Sequence, residues 1–288
     1  ARMPEVFLVC MPFGPVFRPA IGLSLLKAGL AREGIDARVR YFSIDFAAVV
    51  GQHFYYGLST EERPPHTDLA GEWIFAGELF QPGRRETAAY VREVLRKRGD
   101  PDEEGASDAL VRKILDARRK VRPFLDSCVA EVLAQDPRLV GFTSMFQQHA
   151  ASLALAQRIK RERPEITVVF GGANCEGVMG AETVRRFPFV DAAVSGEGDL
   201  VFPKLVKRIL GSRSLRGVQG VFTRTRGAPL MRSGEPPNAP VVKRLDDLPD
   251  PDHSDYFEQF EASRYGPEWQ PSLPFETARG CWWGQKRP

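Results

Sequence analysis

Leu139-Val140-Gly141-Phe142-Thr143-Ser144-Met145 is an apolar run that turns polar only near its carboxyl end, and the residues after it carry Leu155, Ala156 and Ile159 at helical spacing before Pro164. A run of this length with no wet face is the pattern of a strand buried on both sides, as in a parallel sheet covered by helices. Upstream, Val6-Phe7-Leu8-Val9-Cys10-Met11 repeats the pattern and ends at Pro12. Leu23, Leu26 and Leu30 then follow at helical spacing, and Ala37, Val39 and Tyr41 alternate with Arg38 and Arg40, which reads as a strand with one wetter face near a sheet edge. Downstream, Ile166-Thr167-Val168-Val169-Phe170 and Val190-Asp191-Ala192-Ala193-Val194 are further strands, the last followed by a helix carrying Phe202, Leu205, Val206 and Ile209. Five strands alternating with helices predict an α/β fold, a doubly wound five-stranded parallel sheet of the Rossmann-like kind. Residues 218–223 and 229–231 read as a hairpin appended to it.

The alternation is interrupted once. Residues 46–137 hold helical stripes, Tyr90, Val91, Val94 and Leu95 in one and Leu110, Val111, Ile114, Leu115 and Val121 in another, so this stretch is expected to be a helical insertion. Pro123 should kink or restart the second of these helices. Residues 236–270 hold Pro236, Pro237, Pro240, Pro249 and Pro251 among aspartates and read as a linker leaving a first domain of residues 1–235.

A chain of 288 residues with 43% hydrophobic and 27% charged residues can bury a full core. Its net charge of +3 is spread without single-sign blocks, so no nucleic-acid or membrane partner is expected. No apolar run approaches a membrane span and no charged-then-apolar signal pattern opens the sequence, so the expected address is the cytoplasm. Cys10, Cys128, Cys175 and Cys281 lie far apart with no Cys-x-x-Cys spacing, which argues against a disulfide framework and against a complete zinc site. Cys10 and Cys128 fall in apolar strand and helix patterns and read as free thiols.

In an open parallel sheet, ligands bind beyond the carboxyl ends of the strands. Gly171-Gly172 after the fourth strand and Ser195-Gly196-Glu197-Gly198 after the fifth would let a ligand approach the backbone. Thr143 and Ser144 add hydroxyls, and the loop 12–19 adds a stiff apolar lip. There is no Gly-Lys-Ser/Thr phosphate loop, no Gly-x-Gly-x-x-Gly after the first strand, no Gly-x-Ser-x-Gly elbow and no His-Glu-x-x-His. Nucleotide and dinucleotide cofactors and conventional hydrolysis are therefore poorly supported.

Three stretches together resemble one family. Phe170-Gly171-Gly172-Ala173-Asn174-Cys175-Glu176-Gly177, Ser195-Gly196-Glu197-Gly198-Asp199 and, near the end, Glu276-Thr277-Ala278-Arg279-Gly280-Cys281-Trp282-Trp283-Gly284 look like the cobalamin-binding radical SAM proteins that mature ribosomal peptides, the RiPP maturation C-methyltransferases. The resemblance implies that Gly171, Gly172, Asn174, Gly196, Glu197 and Gly198 border the corrin and its nucleotide tail, with Thr143, Ser144, Met145 and Phe146 beside the corrin. It implies that residues 271–288 are the first strand and cluster loop of a radical SAM domain. Cys281 would be the first of three thiolates on a 4Fe-4S cluster whose open iron takes S-adenosylmethionine, the other two being expected past Pro288, so that these 288 residues alone would be inactive. The implied activity is C-methylation of a ribosomal precursor peptide at an unactivated carbon, using cobalamin, S-adenosylmethionine and an external reductant for the cluster. The alternative is a cobalamin carrier or sensor without catalysis. The Asp-x-His-x-x-Gly motif that offers a histidine to cobalt is absent, and of the four histidines only His149 lies near the proposed pocket, where it reads as an ordinary helix-start residue.

Overall fold

In the computed structural model, residues 4–60, 65–97, 105–212, 214–215, 217–224, 238–266 and 269–280 are described. Four five-residue strands form the body of the sheet, β1 (Val6–Cys10), β2 (Ala37–Tyr41), β3 (Leu139–Thr143) and β4 (Thr167–Gly171). β5 (Ala192–Val194) continues it, and β6 (Val221–Thr223) closes the far side. The order is β2-β1-β3-β4-β5-β6. The first five strands are parallel, while β6 runs antiparallel to β5. The five expected parallel strands are thus present, and the hairpin prediction yields a sixth strand. Residues 229–231, its proposed second arm, lie outside the described residues.

Helices cover both faces. α1 (Ile21–Arg32) follows β1. α2 (Phe42–Val50), α3 (Gln52–Ser59), α4 (Ala70–Phe80), α5 (Arg84–Tyr90) and α6 (Asp108–Ala134) fill the connection from β2 to β3. α7 (His149–Glu162), α8 (Val178–Arg186) and α9 (Phe202–Ser212) follow β3, β4 and β5 in turn. Leu8, Gly141 and Val169 stand side by side in the register and face α9, where a methyl group built on Gly141 would lie 3.5 Å from Phe202. Phe142 and Phe170 stack on the opposite face, and the Phe170 ring meets His149 at the start of α7.

The region expected as an insertion proves integral to the fold. α4 and α6 pack on α7, so α6 serves as the crossover helix between β2 and β3. α6 also continues through Pro123 for 27 residues. An interior proline costs about 3 kcal/mol. Burial of Val121, Phe124, Leu125, Cys128, Val129 and Val132 around that position offsets the loss. The stripe at Tyr90 to Leu95 divides into α5 and one π-helical turn, Val91–Leu95.

The proline-rich linker is likewise more than a spacer. It contains α10 (Ser254–Ala262), whose Tyr256 and Phe260 are fully buried. α10 covers the β2 edge with side chains in place of a strand. Val39 N–H donates to Asp255 Oδ2 (2.7 Å), Tyr41 N–H donates to Gln259 Oε1 (2.9 Å), and Gln259 Nε2 donates to the Val39 carbonyl (2.8 Å). An exposed strand edge invites unwanted pairing, and this helix removes the invitation. The expected strand in residues 271–288 is not seen at 271–280, which runs without a hydrogen-bonded strand partner. Residues 281–288 lie outside the described residues.

Candidate functional site

β1 and β3 are neighbours in the sheet but their chains leave in opposite directions, to α1 on one face and to α7 on the other. This is the point where an open parallel sheet opens a crevice. A cavity of about 830 Å³ lies there, at the carboxyl ends of β1, β3, β4 and β5, and reaches down between Leu8, Gly141 and Val169 of the sheet and Leu23, Leu26 and Phe202 of α1 and α9. Its size falls in the upper part of the range for organic cofactor sites, roughly 300–1,000 Å³.

Of the residues expected at the site, Thr143, Met145, Phe146, Gly171, Gly172, Gly196 and Gly198 line this cavity. Met145 and Phe146 are exposed at its rim. Three expected residues stand behind the lining. Ser144 is fully buried, with Oγ 2.8 Å from His149 Nδ1 and accepting from Asn174 Nδ2 at 3.2 Å. Asn174 Nδ2 also donates to the Met145 carbonyl at 2.5 Å, so these two residues tie the β3 loop to the β4 loop. Glu197 Oε2 accepts from Val242 N–H at 2.6 Å and from Arg279 at 3.2 Å. Their polar groups are taken up by hydrogen bonds to neighbouring loops at the strand ends. Cys281 lies outside the described residues.

The two adjacent glycines do different things. Gly171 ends β4, where an added Cβ would meet only Val194, at 4.0 Å, beside the cavity. Gly172 has φ +91°, and a Cβ there would press to 2.7 Å from the Ser144 carbonyl oxygen. Gly172 therefore serves the close approach of two loops while also lining the cavity.

Other lining residues were not foreseen. Tyr55, Tyr56, Ser59 and Thr60 come from α3 and its end, because the β2-to-β3 connection folds back over the β1 loop. Tyr55 Oη donates to the Gly14 carbonyl at 2.6 Å, and burial pushes its phenol up. Asp199 and Arg279 also line the cavity. Both stand inside motifs quoted from the sequence, yet no spacing rule joins residues 80 positions apart. α1 starts at the mouth with Ala20 as a cap that offers no side chain to the first amides.

No histidine lines the cavity among the described residues. His149 opens α7 with Nδ1 against Ser144 and Nε2 3.4 Å from Thr183 Oγ1, where it braces the loops, and burial lowers its pKa. The Cys10 thiol is buried and pushed up to about 11 by desolvation, and Cys175 to about 12, so neither is a ready thiolate. The described residues hold no cluster of His, Cys, Asp and Glu suited to a metal ion, and none of their helices is long and apolar enough to cross a membrane.

Comparison with known proteins bears on this region. The chain is 29% identical over 170 residues to an uncharacterized methyltransferase of Pyrococcus horikoshii, covering 59% of this chain and 35% of the relative. Two structures of the radical S-adenosylmethionine methyltransferase TsrM from Kitasatospora setae superpose at 15% identity. One, with tryptophan and a SAM analog, gives a TM-score of 0.40 over 77% of this chain and 28% of TsrM. The other, with cobalamin and a 4Fe-4S cluster, gives 0.39 over 78% and 30%. The chain thus spans about a third of the length of the proteins it matches. Residues 87–206, from α5 through β3, β4 and β5 into α9, match the model of the B12 binding domain.

Proposed function

We propose that this domain holds cobalamin at the carboxyl ends of β1, β3, β4 and β5, as the cofactor-bearing part of a cobalamin-dependent radical SAM enzyme that C-methylates a ribosomal precursor peptide. The observation that carries the reading is the cavity at the sheet's switch point, bordered on one side by Thr143, Met145 and Phe146 and on the other by Gly171, Gly196 and Gly198. The lining fits a large ligand with an apolar body and a polar rim, because Gln52, Ser59, Thr60, Thr143 and Asp199 stand among the apolar residues. The floor is aliphatic and aromatic, Gly171 leaves open space, and a Cβ on Gly22 at the mouth would meet nothing within 4 Å. The match to the B12 binding domain supports the choice of cofactor, and the relative named as a methyltransferase supports the class of chemistry.

When bound, cobalamin supplies a cobalt centre able to carry a methyl group. What the chain's own residues do is bind and exclude. Gly171 and Gly196 would border the nucleotide tail, Met145 and Phe146 would cover the corrin edge, and Ser144, Asn174 and His149 hold those loops in place from behind. No described histidine reaches the cavity, so the protein would offer no imidazole to the metal. Cys281, the cluster, S-adenosylmethionine and the reductant belong to the same reading through the Arg279-Gly280-Cys281 motif.

The test has two arms. Protein incubated with hydroxocobalamin and desalted should retain one equivalent, read from its visible spectrum. The full-length enzyme, with reconstituted cluster, reductant and S-adenosylmethionine, should add a methyl group to a precursor peptide. Failure to retain cobalamin overturns the reading; retention without methyl transfer by the full-length enzyme leaves the carrier or sensor alternative.

A further inference from the structure

Residues 269–280 cross the mouth of the cavity and are fastened on both sides of it. At one end the Trp269 ring stacks on Phe17 with centroids 4.8 Å apart, and Ser272 N–H donates to the Phe17 carbonyl at 2.9 Å. Phe17 belongs to the β1 loop and lines the cavity. At the other end Arg279 reaches the β5 loop. Its Nη1 donates to Asp199 Oδ2 at 2.6 Å and Nη2 to Asp199 Oδ1 at 3.3 Å, a two-pronged pair, and Nη1 also meets Glu197 at 3.2 Å. Glu276, in the same segment, takes Nε at 2.9 Å and Nη2 at 3.0 Å.

Between these anchors Ser272 and Pro274 line the cavity, whereas Leu273 is 60% and Phe275 87% exposed. The segment therefore has an inner and an outer side. Side chains of Arg279 and Asp199 are only 19% and 12% exposed, which separates this pair from ordinary surface ion pairs. Three carboxylates surround one guanidinium, leaving the group at minus two overall. Without the cation, Glu276 on the segment would face Glu197 and Asp199 on the loop with like charge only, so the attachment would become a repulsion.

We propose that residues 269–280 form a strap that retains the cofactor, and that Arg279 is the positioning residue that latches the strap to the loop carrying Gly196 and Gly198. This rests on the cofactor reading above and adds to it a way in and out. The corrinoid can leave only when the Asp199 pair opens.

The experiment is a chase. Protein loaded with radiolabelled hydroxocobalamin is mixed with a large unlabelled excess, and release is followed for the wild type, Arg279→Ala, Arg279→Lys, Asp199→Asn and the Arg279→Ala/Asp199→Asn double variant. The corrinoid enters and leaves through the same opening, so Arg279→Ala should release about tenfold faster and should also take up cofactor faster. Arg279→Lys should fall between it and the wild type, because the charge remains but the planar fork is lost. The double variant should release no faster than either single one, since both remove the same contact. Without cofactor, hydrogen exchange at the Ser272 amide should speed up in Arg279→Ala. Release rates within twofold of one another, or faster release with unchanged exchange at Ser272, would overturn the latch. Wild-type protein that takes up no cobalamin overturns the retention role along with the cofactor reading; uptake with unaltered release overturns the retention role alone.

Discussion

A side chain added at Gly171 and one added at Gly172 would meet different surroundings. At Gly171 it would enter the cavity next to Val194, so Gly171→Val should keep the far-ultraviolet circular dichroism and melting temperature of the wild type while losing hydroxocobalamin. At Gly172, φ +91° and the Ser144 carbonyl at 2.7 Å make any Cβ a strain on the loop crossing, which should cost about 1–3 kcal/mol in a denaturant titration of Gly172→Val. Equal loss of stability in both variants would contradict this division. The sequence shows two adjacent glycines after an apolar strand and so points to a loop that borders the cavity. Which glycine faces the ligand depends on the neighbouring β3 loop, and no spacing within the motif carries that information. The same limit applies to Ser144, Asn174 and Glu197, polar residues in the loops around the cavity whose side chains turn to other loops.

Among the elements, the parallel strands were legible because strands buried on both faces read as short apolar runs, and β2 because its buried and half-buried residues alternate as an edge strand's do. α10 was not legible. Its nine residues follow a proline-rich stretch, and its role comes from Asp255 and Gln259, four residues apart on one face, which pair with a strand more than 200 residues earlier. Gln259→Ala would leave Tyr41 N–H and the Val39 carbonyl without these partners. Unfolding in urea should show a loss of about 1–3 kcal/mol, and a change under about 0.5 kcal/mol would mean that water replaces the side chain freely. Of the two readings at Pro123, a kink or a restart, the unbroken α6 rules out the restart, because burial on both sides of the proline opposes the break that local propensity favours.

For the whole molecule, the sheet, the helix α3 folded back from the β2-to-β3 connection, and the strap from Trp269 to Arg279 converge on one crevice. The central claim is that this crevice holds cobalamin and gives its metal no histidine. His149, the nearest candidate in sequence, spends both ring nitrogens on Ser144 and Thr183. Electron paramagnetic resonance of the Co(II) form added to the protein tests both halves at once. With the nucleotide tail drawn away beside Gly171 and Gly196 and no histidine in its place, the account predicts a spectrum altered from that of free cob(II)alamin and lacking nitrogen superhyperfine splitting. A spectrum identical to the free cofactor's, or a nitrogen triplet that disappears in His149→Ala, would contradict it.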